Sequence, residues 1–176
     1  SFEGIMSLNL DQECCNHWIK SNTPLPAYVT FTLRDYGHQP TRNLLLGEVR
    51  FTFEFLLQHG VQPVVIPDFD GNLNVPGSND YIVCHQASRD FGFRLALYEG
   101  ALSNVASPSG PLMAIALSHK SKGVKINAFS EDLPGQPSGH GSSIYKKYFG
   151  IPVGAQPLRH SYVHIIWCKD FRDDLV

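Results

Sequence analysis

The stretch LSNVASPSGPLMAIAL, at residues 102–117, constrains the fold more than any other part of the chain. Its first five residues are apolar enough to predict a short buried strand. Small residues and a proline then break the strand, and Pro111 favours the start of a helix that continues to Leu117. The stretch therefore predicts a strand, a tight loop and a helix in immediate succession.

This junction is also a candidate anion site. Unpaired backbone N–H groups and the positive end of a helix dipole meet where a strand turns into a helix, and together they stabilise a phosphate. Ser107, Ser109 and Gly110 have side chains small enough to let a ligand reach the backbone. The alternative is a simple turn in which Ser109 caps a core helix. The stretch alone does not choose between the two interpretations.

The alternation of strand and helix patterns predicts the fold class. Strands are expected at residues 27–33, 61–67, 81–84, 102–106 and 124–129, helices at 44–59, 89–101, 112–117 and 143–149, and a strand or helix at 164–168. This order favours an α/β fold, a three-layer Rossmann-like sandwich with a mainly parallel sheet. The strand at 27–33 should be central because it is apolar on both faces. Pro63 argues against a long central ladder for the next strand.

The 176 residues fit one Rossmann-like domain. We divide it into an N-terminal extension (1–26), a core (27–129) and a loop, helix and C-terminal segment (130–176). A short helix is expected around residues 14–19 of the extension.

Two features refine the predicted core helices. Asn43 is expected to cap the helix at 44–59, and Gly60 is expected to end it. In the helix at 89–101, the spacing of Phe91, Leu95 and Tyr98 predicts a common buried face.

Charge and composition exclude several classes of function. The net charge of −2 and the absence of a basic run longer than Lys146-Lys147 argue against nucleic-acid binding. No segment reaches the roughly 20 apolar residues of a membrane span, and no signal peptide is recognisable. Four irregularly spaced cysteines suggest no disulfide framework. We therefore expect a soluble chain in the reducing cytoplasm. Because it begins at Ser1, a fragment of a longer protein is plausible.

The polar segment RDYGHQPTRN follows the predicted central strand. In open α/β sheets, ligands bind beyond the carboxyl ends of the strands. Arg34 and Arg42 are therefore candidate phosphate contacts, since a guanidinium donates two parallel hydrogen bonds to an anion. Two solvated loop arginines are the competing interpretation.

Four segments in chain order resemble a known family: YVTFTLR with its polar loop, VVIPD after Gly60, RLALYEGAL leading into NVASPSGP, and VKINAF. This pattern, over roughly residues 28–129, is similar to the C-terminal, nucleotide-sugar-binding half of GT-B glycosyltransferases, and most similar to the heptosyltransferase-like group. The resemblance implies a Rossmann-like domain that binds a nucleotide-sugar donor.

The family's functional positions transfer residue by residue. The resemblance implies that Ser109, Gly110 and Pro111 cradle the diphosphate, with Ser107 beside them. The remaining positions fall in two groups: Arg34, Arg42 and Asn43 on the phosphates, and Asn127 and Ser130 near the base or ribose. We predict no metal and no cofactor.

The chain departs from the family in two respects. Leu112 and Met113 stand where the family often has a histidine, so one polar contact is missing. The acceptor-binding half, which precedes this half in the family and supplies the usual catalytic base, is not in the sequence. We therefore assign no catalytic residue and expect that half in the full-length protein. The alternative is a degenerate Rossmann-like binding or assembly module without catalytic activity.

Other enzyme classes fit less well. The first strand is not followed by the Gly-x-Gly-x-x-Gly of a dinucleotide site, and the glycines and serines at 139–143 miss the spacing of a hydrolase nucleophile elbow. Residues 68–72 lack the regular ligands of a calcium loop. His160 and His164 have no further metal ligand nearby in sequence.

Overall fold

A computed structural model describes residues 9–36, 43–44, 46–69, 75–76, 78–107, 109–118, 120–128 and 163–168. The strands are β1 (Ala27–Asp35), β2 (Val61–Phe69), β3 (Ile82–Val83), β4 (Ser103–Ala106), β5 (Gly123–Ala128) and β6 (Val163–Cys168). The helices are α1 (Asn9–Asn22), α2 (Leu46–Val49), α3 (Phe51–Gln58), α4 (Gln86–Arg89), α5 (Phe91–Gly100) and α6 (Gly110–Leu117).

All six strands form one parallel sheet in the order β3-β2-β1-β4-β5-β6. The chain winds outward in one direction from β1 to β3 and then in the other from β4 to β6. The predicted α/β sandwich with a parallel sheet is confirmed. In such a sheet the order reverses between β1 and β4, and a crevice opens beyond the carboxyl ends of these two strands.

Helices cover both faces of the sheet. We call the α5 face the side on which Tyr28, Val64, Ile66 and Ala106 pack with residues of α1, α5 and α6. The opposite side, the α3 face, carries Val29, Phe31, Leu33 and Val65 under α2 and α3. Because successive strand residues alternate between faces, even-numbered β1 residues belong to the α5 face.

The central position of β1 is confirmed, because β2 and β4 flank it and six consecutive residues from Tyr28 are buried. The expectation for Pro63 was wrong: β2 has nine residues and lies inside the sheet. The carbonyl of Val65 accepts from Cys84 N, so Val65 directs its backbone groups toward β3. The backbone groups of Pro63 and Pro67 point in the same direction, toward β3. Because β3 has only two residues, it requires no N–H donor from either proline.

Two predicted helices have different limits. The N-terminal helix is longer than expected, since α1 has 14 residues. The region 44–59 forms two helices separated by Arg50, and Leu44 pairs with β1 instead of starting a helix. The predicted stop at Gly60 is confirmed by its positive φ of 72°.

The predicted core face of α5 is only partly correct. Leu95 and Tyr98 are buried, but Phe91 is 58% exposed because it stands at the first position of the helix, before the helix reaches the core. The helix expected at 89–101 begins only at Phe91, because Asp90 has an extended backbone, and Arg89 instead ends the short helix α4.

Asn104 joins the two halves of the sheet. It is fully buried, and its Oδ1 accepts from Thr30 Oγ1 at 2.6 Å. Its Nδ2 donates to the carbonyls of Tyr98, at 3.0 Å, and Lys122, at 2.6 Å. One amide thus links β1, the end of α5 and the turn before β5.

The predicted loop and helix at 130–149 lie outside the described residues. Residues 164–168, predicted as strand or helix, belong to the strand β6. None of the helices in the described ranges is long and apolar enough to cross a bilayer.

Candidate functional site

The candidate site lies where β1 and β4 end side by side. Thr32 is paired with Ala106, the last residue of β4. Beyond this pair, β1 continues to Asp35, whereas β4 has ended and the next element of the chain, α6, begins at Gly110. The segment with the predicted arginines follows β1, and the segment with the predicted serines follows β4. Both segments therefore start at the crevice between the two halves of the sheet.

The start of α6 has no side-chain cap. Ser109 occupies the N-cap position with an extended backbone, but its hydroxyl makes no cap hydrogen bond. Pro111, in the first turn, has no N–H, so helix geometry leaves the N–H groups of Ser109, Gly110 and Leu112 without an intrahelical partner. The alternative interpretation, in which the Ser109 side chain caps the helix, is therefore wrong.

The start of α5, at the same edge of the sheet, is different. The Asp90 carboxylate accepts from Phe93 N at 3.0 Å. A second carboxylate, that of Asp11, lies so close to Gly92 that a Cβ there would clash with its oxygen. The chain thus supplies negative charge to the positive end of α5 and none to that of α6 within the described residues.

Three buried polar atoms at the ends of β1 and β4 have no hydrogen-bond partner among the described residues: Arg34 Nε, Ser107 Oγ and Ser109 Oγ. Only two other side-chain atoms in the described ranges share this condition. Each such atom costs about 1–3 kcal/mol relative to a satisfied one. This concentration of unmet hydrogen bonds is typical of a place where a ligand completes the structure.

Access to the junction is through Gly110. Ser107 and Ser109 are only 4% and 8% exposed, whereas Gly110 is exposed and has no described atom within 4 Å of a Cβ built on it. A ligand therefore reaches the backbone at Gly110 before it reaches either hydroxyl.

Arg34 belongs to β1, not to the following loop. Its backbone N and O pair with Leu44 at 3.0 and 2.9 Å, on the side of β1 where β4 has already ended. Its guanidinium carbon lies 4.4 Å from the centre of the Tyr36 ring. As an even-numbered β1 residue, Arg34 lies on the α5 face, the face on which α6 begins.

Asn43 bonds the residues at the end of β1. Its Oδ1 accepts from Tyr36 N at 3.0 Å, and its Nδ2 donates to Tyr36 O at 3.1 Å and to Asp35 Oδ1 at 3.3 Å. These contacts hold the two ends of the loop together. They leave the amide fewer hydrogen bonds for a ligand, and Asn43 caps no helix.

The remaining predicted residues are placed less fully. Asn127 belongs to β5, whose neighbours are β4 and β6. Arg42 and Ser130 lie outside the described residues. The structure therefore places Ser107, Ser109, Gly110 and Pro111 together at the start of α6, with Arg34 on the same face of the sheet. Asn43 is not brought to this group, because it bonds Tyr36 and Asp35, and Asp35 belongs to the opposite face.

Sequence reasoning missed a polar network beneath this edge. Arg94 of α5 pairs with Asp68, at the end of β2, with Nη1 3.5 Å from Oδ1. The Tyr98 hydroxyl lies 2.6 Å from Thr32 Oγ1. Burial raises the pKa of Tyr98 to about 12, although the neighbouring Arg94 charge and the hydrogen bond with Thr32 act in the opposite direction. The only signal in the sequence was an arginine among core residues, four positions before Tyr98.

No protein-family model matches the chain, and no curated protein or solved structure matches it either. The resemblance to GT-B glycosyltransferases therefore stays a prediction that depends on the residues themselves.

Chemically, the site combines an open helix start, two hydroxyls without partners and one arginine. All of these groups can donate hydrogen bonds, and two of them carry positive charge. Such a set suits an anion with several oxygens, because each oxygen accepts from a different donor.

Proposed function

We propose that this chain is the donor-binding domain of a glycosyltransferase, and that it binds the diphosphate of a nucleotide-sugar at residues 107–111. The observation that carries the proposal is the uncapped start of α6, with the orphaned hydroxyls of Ser107 and Ser109 beside it. Its position supports the proposal further, since ligands of open α/β sheets bind where the strand order reverses.

The proposed role of Arg34 follows from its place on β1. It shares the α5 face with α6, and no described carboxylate lies within ion-pair distance of its guanidinium. A diphosphate at Gly110 supplies the missing negative charge. Arg42, eight residues further along the chain, is proposed as a second phosphate contact.

The contribution to catalysis is electrostatic. When the glycosidic bond to the nucleotide breaks, the leaving diphosphate gains negative charge. Donors fixed near it, here the N–H groups at the start of α6 and the Arg34 guanidinium, stabilise that charge more in the transition state than in the bound donor. The acceptor hydroxyl must lose its proton to a base, a role we assign to the proposed acceptor-binding domain of the full-length protein.

A titration of thermal stability tests the proposal. Ligands that bind only the folded state raise the melting temperature by mass action. We expect saturable shifts with pyrophosphate, nucleoside diphosphates and nucleotide-sugars, and smaller shifts with nucleosides. If none of these ligands shifts the melting temperature, the chain is better explained as a binding or assembly module without catalytic activity.

Arginine variants locate the site. Arg34→Ala and Arg42→Ala should weaken nucleoside diphosphate binding by about tenfold or more and nucleoside binding much less, because a charge-assisted phosphate contact is lost. Arg50→Ala is the matched control, since its side chain is 59% exposed and is paired with Asp80 away from this edge. Equal weakening of diphosphate and nucleoside would contradict the assignment.

A further inference from the structure

A closed ring of contacts joins the backbone of Arg34 to its own side chain. The backbone N of Arg34 donates to Leu44 O at 3.0 Å, and its backbone O accepts from Leu44 N at 2.9 Å. Leu44 is only 1% exposed, so this bridge also fixes the place of the preceding residue, Asn43. Asn43 in turn bonds Tyr36, whose ring lies against the Arg34 guanidinium.

Asn43 holds both backbone polar groups of Tyr36. Its Oδ1 accepts from Tyr36 N at 3.0 Å, and its Nδ2 donates to Tyr36 O at 3.1 Å. Tyr36 follows the last residue of β1, and the amide of Asn43 satisfies its N–H and C=O as a neighbouring strand would. These two hydrogen bonds fix the backbone from which the Tyr36 ring projects.

The Tyr36 ring holds the Arg34 cation without using up its donors. The two residues are two apart in extended chain, so their side chains lie on the same face. The guanidinium carbon lies 4.4 Å from the centre of the ring. The attraction between a cation and an aromatic ring requires no acceptor atom, so the N–H groups of the guanidinium stay available to an anion.

The nearby carboxylates are kept away from Arg34. Asp68, its partner in the register with β2, pairs with Arg94 at 3.5 Å. Asp35 lies on the opposite face, where it accepts from Asn43 Nδ2 at 3.3 Å. Within the described residues Arg34 therefore forms no ion pair. A neutral ring orients the guanidinium and leaves its charge unneutralised.

We propose that Tyr36 and Asn43 are positioning residues for Arg34: the Asn43 amide fixes Tyr36, and the Tyr36 ring holds the Arg34 guanidinium in the orientation that binds the diphosphate. This inference rests on the proposed function, in which Arg34 is a phosphate contact. Asn43 then contributes to phosphate binding through Tyr36 and not through a contact of its own.

Calorimetric titration with pyrophosphate tests the proposal. Tyr36→Leu removes the aromatic face and should weaken binding about three- to fivefold, because the guanidinium loses its support. Asn43→Ala should weaken binding in the same direction. Tyr36→Phe keeps the ring and should restore the affinity of the unaltered protein. Asn22→Ala is the control for Asn43→Ala, since it removes an exposed amide on α1 and should leave pyrophosphate binding unchanged.

Double variants show whether the two residues act through Arg34. In an Arg34→Ala protein, the further change Tyr36→Leu or Asn43→Ala should leave pyrophosphate affinity nearly as it is, because the group to be positioned is gone. The same fold loss with and without Arg34 would overturn the proposal. A Tyr36→Phe protein that binds as weakly as Tyr36→Leu would also overturn it.

NMR tests the positioning without any ligand. The Arg34 Nε–H lies beside the Tyr36 ring and is buried, so its resonance should show a ring-current shift. The shift should persist in Tyr36→Phe, disappear in Tyr36→Leu and decrease in Asn43→Ala. An Arg34 resonance without this shift in the unaltered protein contradicts the proposal, and this measurement decides alone if the variants do not fold.

Failure of this inference differs from failure of the proposed function. If pyrophosphate binds and Arg34→Ala weakens it, but Tyr36→Leu does not, the diphosphate site stands and the positioning role is wrong. If pyrophosphate does not bind the unaltered protein, the proposed function fails and the positioning role fails with it.

Discussion

Asp90 and Ser109 hold the same position at the starts of two neighbouring helices, yet only Asp90 caps its helix. The Asp90 carboxylate accepts from Phe93 N, whereas the Ser109 hydroxyl makes no cap hydrogen bond. Both helices begin at the carboxyl edge of the sheet. The difference supports the proposal that a negative charge from outside the chain binds at the start of α6.

This relationship predicts the effect of Ser109→Asp. A carboxylate at the N-cap supplies the missing negative charge from within the chain, so we expect a gain in unfolding free energy of about 0.5–1 kcal/mol. The same carboxylate repels an incoming phosphate, so pyrophosphate binding should be lost. Chemical denaturation and calorimetry measure the two effects. Ser109→Asn is the control, since it can cap without charge and should weaken binding less. A stabilised Ser109→Asp protein that still binds pyrophosphate would contradict the site.

Gly110→Val tests whether the ligand approaches the backbone at the helix start. No described atom lies within 4 Å of a Cβ at Gly110, so the protein should fold with nearly unchanged stability. The valine side chain instead fills the space proposed for the diphosphate, and we expect a loss of binding of more than about tenfold. Gly47→Val, at another exposed glycine with open space around it, serves as the control. Unchanged affinity in Gly110→Val would place the ligand elsewhere.

Asn104 is expected to matter for stability. Asn104→Ala removes the partner of Thr30 and one donor each to the carbonyls of Tyr98 and Lys122, so unfolding should become easier by about 3 kcal/mol. Asn104→Asp should cost more, because a carboxylate oxygen then faces two carbonyl oxygens. Urea denaturation measures both changes. Asn22→Ala removes an exposed amide that donates a hydrogen bond to the carbonyl of Trp18, and it should have a much smaller effect.

Two buried thiols should make the folded state less stable as the pH rises above 9. Burial raises the pKa of Cys15 from 9.0 to about 12 and that of Cys84 from 9.0 to about 11. Between pH 9 and 11 the unfolded chain has therefore lost thiol protons that the folded chain keeps, and stability falls as pH rises. Melting temperatures from pH 8 to 10.5 should show this decline. Cys84→Ala should make the decline shallower, and the exposed Cys14→Ala should leave it unchanged. An identical slope in Cys84→Ala would contradict the assignment.

Local sequence patterns were sufficient for most of the sheet. Residues 27–33 and 102–106 could be predicted as strands because their apolar residues are bounded by turn formers, and parallel pairing followed from the order of elements. Pro63 misled the prediction, because the effect of a proline depends on which neighbour its missing N–H faces. That direction is fixed by the register with β1 and β3, which the sequence does not contain.

The candidate site was predicted in part. The strand-to-helix junction was readable because its small residues and proline are contiguous in the chain. Arg94 and Asp68 were not recognised, since they are 26 residues apart and meet only through the packing of α5 on β2. Asn43 was assigned to the phosphates by position, but its amide closes the loop after β1.

The most direct test of the anion site is a pyrophosphate titration followed by backbone amide NMR. An anion held by the start of α6 must hydrogen-bond the unpaired N–H groups there. The amides of Ser109, Gly110 and Leu112 should therefore show the largest shift changes, and these should saturate together. Largest changes elsewhere, for example along the groove of α1 lined by Cys14, His17 and Trp18, would contradict the account, as would no change at all.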